Sequence, residues 1–172
     1  NTGIALVHSQ PERAERLLLD LSDMFRAAFS GPAIAPLHAE IALARQYLAI
    51  EALRFADRLD VHWSLPADDS PVLQAQVPTL SLQPLVENAI KHGVEPSLTG
   101  GRIDVSIDAD GAMVRIRVRN TLPPAPTAAS AGHGIGLGAV RARVEAFGDG
   151  SGRLEAGGDT DEHFVATLTL PR

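Results

Sequence analysis

A polar set within residues 85–93 has the side-chain types that phosphate chemistry requires. The set comprises Glu87, Asn88, Lys91 and His92. On a helix, residues four apart lie on one face, so 87 and 91 pair, as do 88 and 92. An asparagine oxygen suits magnesium, which prefers oxygen ligands and keeps several waters. The two basic side chains could meet phosphate oxygens, and the glutamate could orient a water or accept a proton. A solvated helix face with a Glu87–Lys91 ion pair is the alternative.

Glycines alternate along residues 132–138, immediately before a predicted helix. Glycine lets the backbone approach a polyphosphate, and the helix that follows adds its positive end. The candidate phosphate contacts are Gly134, Ile135, Gly136, Leu137 and Gly138. A flexible linker would have the same composition. Both interpretations stay open on this stretch alone.

Asn120 follows an alternating strand pattern and is a candidate for contact with a base edge. A polar side chain at a strand end can point into a pocket, although such a residue alone carries no function. The order along the chain is then an asparagine helix, a strand ending in a polar residue, and a glycine loop that opens a helix.

The elements that must position these residues are predicted from apolar periodicity. Apolar spacing predicts a first helix from about Ser9 to Ala28 and a second from Leu37 to Phe55. Val77-Pro78 is expected to open the asparagine helix, which Gly93 closes. A last helix is expected over Leu137 to Phe147.

Alternation with period two predicts five strands in the second half of the chain. They cover Leu59–Leu65, Ile103–Ile107, Val114–Val118, Arg153–Ala156 and Phe164–Leu170. The Asp110-Gly111 pair predicts a hairpin turn, and a Gly-Gly-Asp turn is expected between the last two strands. Consecutive hairpins favour a mixed, mostly antiparallel sheet with helices on one face, hence an α+β fold.

Composition excludes several classes of protein. Hydrophobic residues make up 45% of the 172, so a core can form. The net charge of -6 and the aromatic content of 4% argue against a nucleic-acid partner, which needs a basic footprint and stacking side chains. The chain has no cysteine, so it has neither disulfides nor thiolate metal ligands. No apolar run approaches the roughly 20 residues that span a bilayer.

These segments together resemble the LytS/AlgZ-type sensor histidine kinases of the GHKL superfamily. Residues 82–93 resemble the family's asparagine box, and residues 134–137 resemble its second glycine box, with the usual helix in residues 140–144. Residues 11–26 resemble the second helix of the dimerization region. Residues 40–55 resemble the connection to the ATP-binding domain. The resemblance covers nearly the whole chain.

The resemblance implies a Bergerat-type α/β sandwich that binds ATP and Mg²⁺ under a lid, preceded by a helical remnant of the dimerization region. Asn88 would ligate the metal, Glu87 would hold a water or assist proton transfer, and Lys91 and His92 would contact phosphates. The γ-phosphate would pass to a histidine and then to an aspartate of a response regulator with a LytTR-type DNA-binding domain.

Further expectations concern the organisation of the chain. Residues 1–57 are assigned to the dimerization and connecting region and residues 58–172 to the ATP-binding domain. The family's phosphoacceptor segment, His-Phe-Leu-Phe-Asn, would end at Asn1, so this chain would be a fragment without the acceptor histidine and unable to phosphorylate itself. The full protein would be a homodimer anchored in the inner membrane, with this part cytoplasmic and out of contact with the membrane.

Two departures from the family pattern leave alternatives open. Asn120-Thr121-Leu122-Pro123 stands where the first glycine box carries Asp-x-Gly-x-Gly, and His163-Phe164 stands where a Gly-Thr pair is usual. The alternative function is therefore a non-catalytic dimerization or regulatory module with weak or no nucleotide binding. A third possibility is another ATPase of the superfamily, such as an anti-sigma-factor kinase or a chaperone-type ATPase, but the helical first half argues against it.

Overall fold

A computed structural model describes residues 33–123, 135–160 and 162–172. Within these ranges the α-helices are α1 (Leu37–Phe55), α2 (Gln83–Ala89) and α3 (Ile135–Glu145). The strands are β1 (Ile34–Pro36), β2 (Leu59–Ser64), β3 (Gln76–Pro78), β4 (Gly101–Asp110), β5 (Met113–Thr121), β6 (Arg153–Thr160) and β7 (His163–Pro171). Short 3₁₀ turns cover Ala56–Arg58 and Pro71–Gln74, and a π-turn, Ile90–Val94, extends α2.

Five strands form one mixed sheet in the order β2-β4-β5-β7-β6, and β1 pairs with β3 in a separate ribbon. The β2–β4 pair is parallel because α2 lies between the two strands in sequence, and a parallel pair requires such a crossover. The other pairs are antiparallel. The predicted α+β class with a mixed, mostly antiparallel sheet is confirmed.

One face of the sheet forms the core together with the helices. Alternate residues of β4 and β5 are buried in register, with Val105 opposite Val118 and Ile107 opposite Ile116. Helix α1 adds five side chains to the same core: Leu37, Ile41, Ala44, Leu48 and Phe55. Each large aliphatic side chain fully buried in this way contributes about 1.5–3 kcal/mol. The predicted boundary between residues 57 and 58 stays a prediction, and α1 packs as part of the sheet's core.

The predicted helix start at Val77-Pro78 is wrong. These residues belong to β3, where Val77 pairs with Ala35. Leu80 then has a φ of 60°, which is incompatible with a right-handed helix, so α2 begins only at Gln83. The helix also ends earlier than expected, at Ala89. Gly93 lies instead in the π-turn, in which the Glu95 N–H donates to the Ile90 carbonyl at 2.9 Å.

Several other boundaries can be compared with the prediction. Helix α1 has the predicted bounds, whereas α3 spans residues 135–145 rather than 137–147. The expected Gly-Gly-Asp turn is wrong, because Gly157 and Gly158 pair with Val165 and Phe164 inside the last hairpin. Glycine lacks a side chain but keeps its backbone donor and acceptor, so the ladder continues through it. The first predicted helix lies outside the described residues.

Candidate functional site

Helix α2 holds Glu87 and Asn88 on the side away from the core. Its apolar residues come in adjacent pairs, and Leu85, Val86, Ala89 and Ile90 are all at most 2% exposed. Those pairs fix the face of the helix that meets the sheet. Glu87 and Asn88 lie between the pairs and are only half-buried, so their polar groups can reach solvent or a ligand.

Gln83 orients the Glu87 carboxylate, and its role was missed in the sequence. Its side-chain amide Nε2 donates to Glu87 Oε1 at 2.9 Å. Gln83 is 2% exposed, and its Oε1 has no hydrogen-bond partner among the described residues. Four-residue spacing on one helix face was the available signal.

Glu87 also acts on α1 through its charge. Burial raises the pKa of the Tyr47 hydroxyl above its ordinary value of 10.0, and the carboxylates of Glu51 and Glu87 raise it further. A negative charge beside a phenol disfavours the phenolate, because the two like charges would repel. The charge of Glu87 on α2 is therefore near enough to act on Tyr47 of α1.

Lys91 and His92 lie in the π-turn rather than on α2. The Lys91 side chain is exposed and that of His92 is half-buried. A π-turn has about one residue more per turn than an α-helix. Residues 91 and 92 therefore do not lie on the same face as residues 87 and 88, as they would in a regular α-helix. Within the described residues Glu87 forms no ion pair with Lys91 and bonds to Gln83 instead. Single π-turns inside helices are frequent at functional sites.

Asn120 lies at the end of β5, buried to 2% exposure and opposite Ile103 and Phe164 in the neighbouring strands. Its Nδ2 donates to the carbonyl of Thr121 at 2.8 Å. The donor end of the amide is thus held by the backbone. The structure places this residue on the buried face of the sheet, on the same side as the helices.

Gly93 brings the π-turn against Asn120. A Cβ atom at position 93 would lie 2.5 Å from Asn120 Nδ2 and 2.6 Å from the Thr121 carbonyl oxygen. Real Cβ atoms do not approach so closely, so only glycine allows this contact. Two of the three candidate segments, 27 residues apart in sequence, therefore meet directly.

The glycine segment is described only from Ile135 onward, where α3 begins; Gly134 lies outside the described residues. Leu137 is 6% exposed and packs in the core, so its side chain is not available to a ligand. Gly138 is exposed, and a Cβ there would meet nothing within 4 Å among the described residues. Its contacts with a phosphate stay a prediction.

A metal at this site would depend on few protein ligands. Among the described residues, no three histidine, cysteine, aspartate or glutamate side chains come together to hold an ion. Magnesium at phosphate sites is bound through one or two protein oxygens, with phosphate oxygens and waters completing an octahedron. The half-buried amide of Asn88 fits that requirement.

Among the helices that the structure describes, none combines the length and the apolar character of a membrane span.

Comparison with known proteins covers both halves of the chain. Residues 1–59 match the family described as histidine kinase. Residues 79–172 match the family described as histidine kinase-, DNA gyrase B-, and HSP90-like ATPase. Sensor histidine kinase BtsS of Escherichia coli K12 is 35% identical over 99% of this chain and 30% of its own length. Sensor protein LytS of Staphylococcus haemolyticus is 35% identical over 70% of this chain and 20% of its own. The chain thus spans less than a third of the length of each of these two relatives.

Solved structures share the fold. The catalytic domain of histidine kinase ThkA superposes with a TM-score of 0.58 at 19% identity, covering 80% of this chain and 93% of that domain. ThkA in complex with the response regulator TrrA gives 0.55 at 16% identity, covering 94% of this chain and 48% of that chain. At such identity the likeness concerns the fold alone. With the family matches and the relatives at 35% identity, it leads to one conclusion: the chain belongs to the LytS-like sensor histidine kinases and contains their GHKL-type ATPase domain.

Proposed function

We propose that this chain binds ATP with magnesium and supplies the catalytic groups that move the γ-phosphoryl to a histidine side chain. The observation that carries the proposal is the direct contact between Gly93 and Asn120. It joins the polar helix that would serve the phosphates to the buried amide that would serve the base. A nucleotide lying along this junction could contact both at once.

Asn88 is the proposed magnesium ligand. Its amide oxygen would take one coordination position, and the phosphates and waters would take the others. The ion would neutralise charge on the transferring group, which is the main electrostatic requirement of this chemistry. Lys91, exposed in the π-turn, and the neighbouring His92 would add positive charge or donors toward the phosphate oxygens.

Glu87 is the proposed proton acceptor. In the transfer, a nitrogen of the histidine imidazole attacks the γ-phosphorus, the bond to the bridging oxygen breaks, and ADP leaves. The imidazole proton must go to a base, and Glu87 is half-buried with its Oε1 already fixed by Gln83. A carboxylate held in one orientation suits proton transfer, since geometry within hydrogen-bond reach is the first requirement.

Asn120 is the proposed adenine contact. Its Nδ2 is committed to the Thr121 carbonyl, so the oxygen end of the amide is the group that would accept a hydrogen bond from the adenine amine. The backbone of the segment through Gly134, Gly136 and Gly138, with Ile135 and Leu137 between them, would close over the triphosphate.

The proposed partners follow from the relatives. The phosphoryl group would pass from the histidine to an aspartate of a response regulator. Histidine kinase ThkA, which shares the fold, has been solved in complex with the response regulator protein TrrA. We further propose that this regulator is of the LytTR type, and that the full-length protein is a homodimer anchored in the inner membrane with this part on the cytoplasmic side. These proposals rest on membership of the histidine kinase family.

A second candidate is a regulatory module that binds nucleotide weakly or not at all. The observation that favours it is the neutral amide of Asn120 in the place of a carboxylate. An amide oxygen accepts a weaker hydrogen bond than an ionised carboxylate does, so the base would be held less firmly.

Calorimetric titration with a non-hydrolysable ATP analogue, with and without magnesium, tests the proposal. We expect magnesium-dependent binding that Asn88→Asp alters. Gln74→Glu is the matched control, because it makes the same amide-to-carboxylate change at an exposed position outside the site. If Asn88→Asp binds the analogue with wild-type affinity both with and without magnesium, Asn88 is not a ligand of the metal. Absence of binding at millimolar nucleotide would favour the regulatory module.

A further inference from the structure

The turn that precedes α2, residues 79–82, has a strained backbone and is stabilised by side chains from other helices. Leu80 has a φ of 60°, a left-handed conformation that is unusual for a leucine and costs free energy. Such a conformation persists only where the surroundings determine it. Within the described residues, α2 has no side-chain cap of its own at Leu82.

A buried carboxylate from α1 supplies the missing hydrogen bonds. Glu40 is 2% exposed. Its Oε1 accepts from the Leu80 N–H at 2.8 Å, and its Oε2 accepts from the N–H groups of Ser81 at 2.8 Å and Leu82 at 3.0 Å. Three consecutive backbone donors thus converge on one side chain some 40 residues away in sequence. Burial raises the pKa of this carboxyl above its ordinary value, and the three N–H groups and Arg143, which favour the charged form, offset only part of that effect.

Helix α3 reaches the same turn from the other side. Nη1 of Arg143 donates to the Thr79 carbonyl at 2.5 Å. The turn therefore joins α1, α2 and α3, and α3 is the helix that the glycine segment opens.

Helix α2 depends on such external support. It has only seven residues, and isolated helices of fewer than about 12 residues are marginal in water. Contacts with the rest of the molecule therefore determine how far α2 is shifted along its axis and how it is rotated about that axis. The contacts at its start fix where Glu87 and Asn88 project, one to two turns later.

We infer that Glu40 is a positioning residue for the nucleotide site, which it serves by fixing the start of α2 and with it the placement of Glu87 and Asn88. The inference rests on the proposed function. Glu40 touches neither nucleotide nor metal; it acts through the backbone of residues 80–82. Arg143 supports the same turn from α3, with one hydrogen bond where Glu40 makes three.

The test is magnesium–ATP-analogue affinity together with amide hydrogen exchange. In Glu40→Gln an amide NH₂ replaces one oxygen and faces backbone donors, so we expect faster exchange at Leu80, Ser81 and Leu82 and affinity about tenfold weaker, the equivalent of one charged hydrogen bond. Arg143→Met, at an exposed position, should fold normally and weaken affinity by a smaller factor.

Val114→Ala is the matched control for loss of stability. Val114 is fully buried at the far end of β5 from Asn120, roughly 20 Å away at 3.3 Å per residue. We expect this variant to lose stability and keep the affinity of the wild type. All affinities are compared at a temperature at which circular dichroism shows every variant to be folded.

The outcomes separate the two proposals. If the wild type binds the analogue and Glu40→Gln binds it equally well, Glu40 is only a structural residue and the inference is overturned, whatever the affinity of Arg143→Met. If Val114→Ala weakens affinity as much as Glu40→Gln, general destabilisation explains the effect and the inference is again overturned. If the wild type itself does not bind, the proposed function fails, and with it the role of Glu40 toward nucleotide.

Discussion

Residues 107–116 and residues 76–94 each contain a tight turn with a positive φ, but they hold it in different ways. In the hairpin between β4 and β5 the residue is Gly111, with a φ of 62°. In the connection between β3 and α2 it is Leu80, with a φ of 60°. The hairpin is held by its own ladder, whereas the connection is held by Glu40, Asn120 and Arg143 from elsewhere in the chain. The hairpin is therefore stabilised by contacts between residues close in sequence, whereas the connection is stabilised by residues that come near it only in the folded protein.

The largest expected effect comes from Glu40→Ala. Three backbone donors in residues 80–82 lose their acceptor, and each buried unsatisfied group costs about 1–3 kcal/mol. We expect the free energy of unfolding to fall by at least about 3 kcal/mol, measured by urea denaturation. The exposed Glu155→Ala should change it little. Equal stability of the two variants would contradict the view that distant contacts hold the connection.

Gly93→Ala should rank second, because it breaks the connection at its contact with Asn120. The added methyl would lie 2.5 Å from Asn120 Nδ2, so side chain and backbone must shift, at a cost of about 1–3 kcal/mol. Denaturation and analogue titration measure the two consequences, loss of stability and weaker nucleotide binding. Gly157→Ala in β6 is the matched control, since a Cβ there meets nothing within 4 Å among the described residues and the position lies outside the candidate site. Wild-type affinity in Gly93→Ala would mean that this contact does not shape the site.

Gly111→Ala should cost about 1–2 kcal/mol, the penalty of a left-handed alanine. A Cβ at this position meets nothing within 4 Å in the described part of the chain, so the cost is conformational rather than steric. Gly111→Asn should recover part of it, because asparagine tolerates this conformation. Nucleotide affinity should not change in either variant. A loss of affinity would show that the hairpin and the connection are coupled after all.

The smallest expected effect is a shift in the titration of Tyr47. Since Tyr47 is the only tyrosine, its ionisation can be followed by ultraviolet absorbance. Removing the charge of Glu87 in Glu87→Gln should lower the pKa of Tyr47, which burial keeps above 10.0. Asp108→Asn, which removes a charge at the hairpin, should leave it unchanged. Identical titration curves for wild type and Glu87→Gln would contradict the placement of Glu87 beside α1.

The raised pKa of Tyr47 also sets a direction for stability in alkali. The folded state keeps the phenol proton at a pH where the unfolded chain has lost it, so the folded state binds more protons. Stability must then fall as pH rises above about 10. In Tyr47→Phe this part of the decline should be absent, as urea denaturation at several pH values would show. Parallel declines in the two proteins would mean that the hydroxyl is not buried.

The same contrast explains what the sequence could predict. The hairpin at Asp110-Gly111 was predicted because its signals lie within a few adjacent residues, and α1 was predicted to its bounds from its apolar stripe. The start of α2 was placed six residues too early, because the chain turns at Leu80, whose N–H donates to Glu40 on another helix. No local pattern records that contact.

The candidate site divides in the same way. The polar types at 87, 88, 91 and 92 were evident from composition and spacing. The alternative interpretation paired Glu87 with Lys91, but Glu87 accepts a hydrogen bond from Gln83 instead, and Lys91 lies in the π-turn. The proximity of Gly93 and Asn120 depends on how α2 crosses the end of β5, which is a property of the folded sheet and not of either segment.

The five side chains that α1 gives to the core have a consequence for chimaeric kinases. A fusion joined near residue 57 would exchange a helix whose apolar face is fitted to this particular sheet, and would also remove the carboxylate that organises residues 80–82. A junction placed before Ile34 would instead carry α1 along with the sheet it was selected to fit. Recombination between relatives should therefore be tolerated upstream of the β1 ribbon and penalised within or just after α1, even though the boundary between the two family matches, residues 1–59 and 79–172, falls only after that helix.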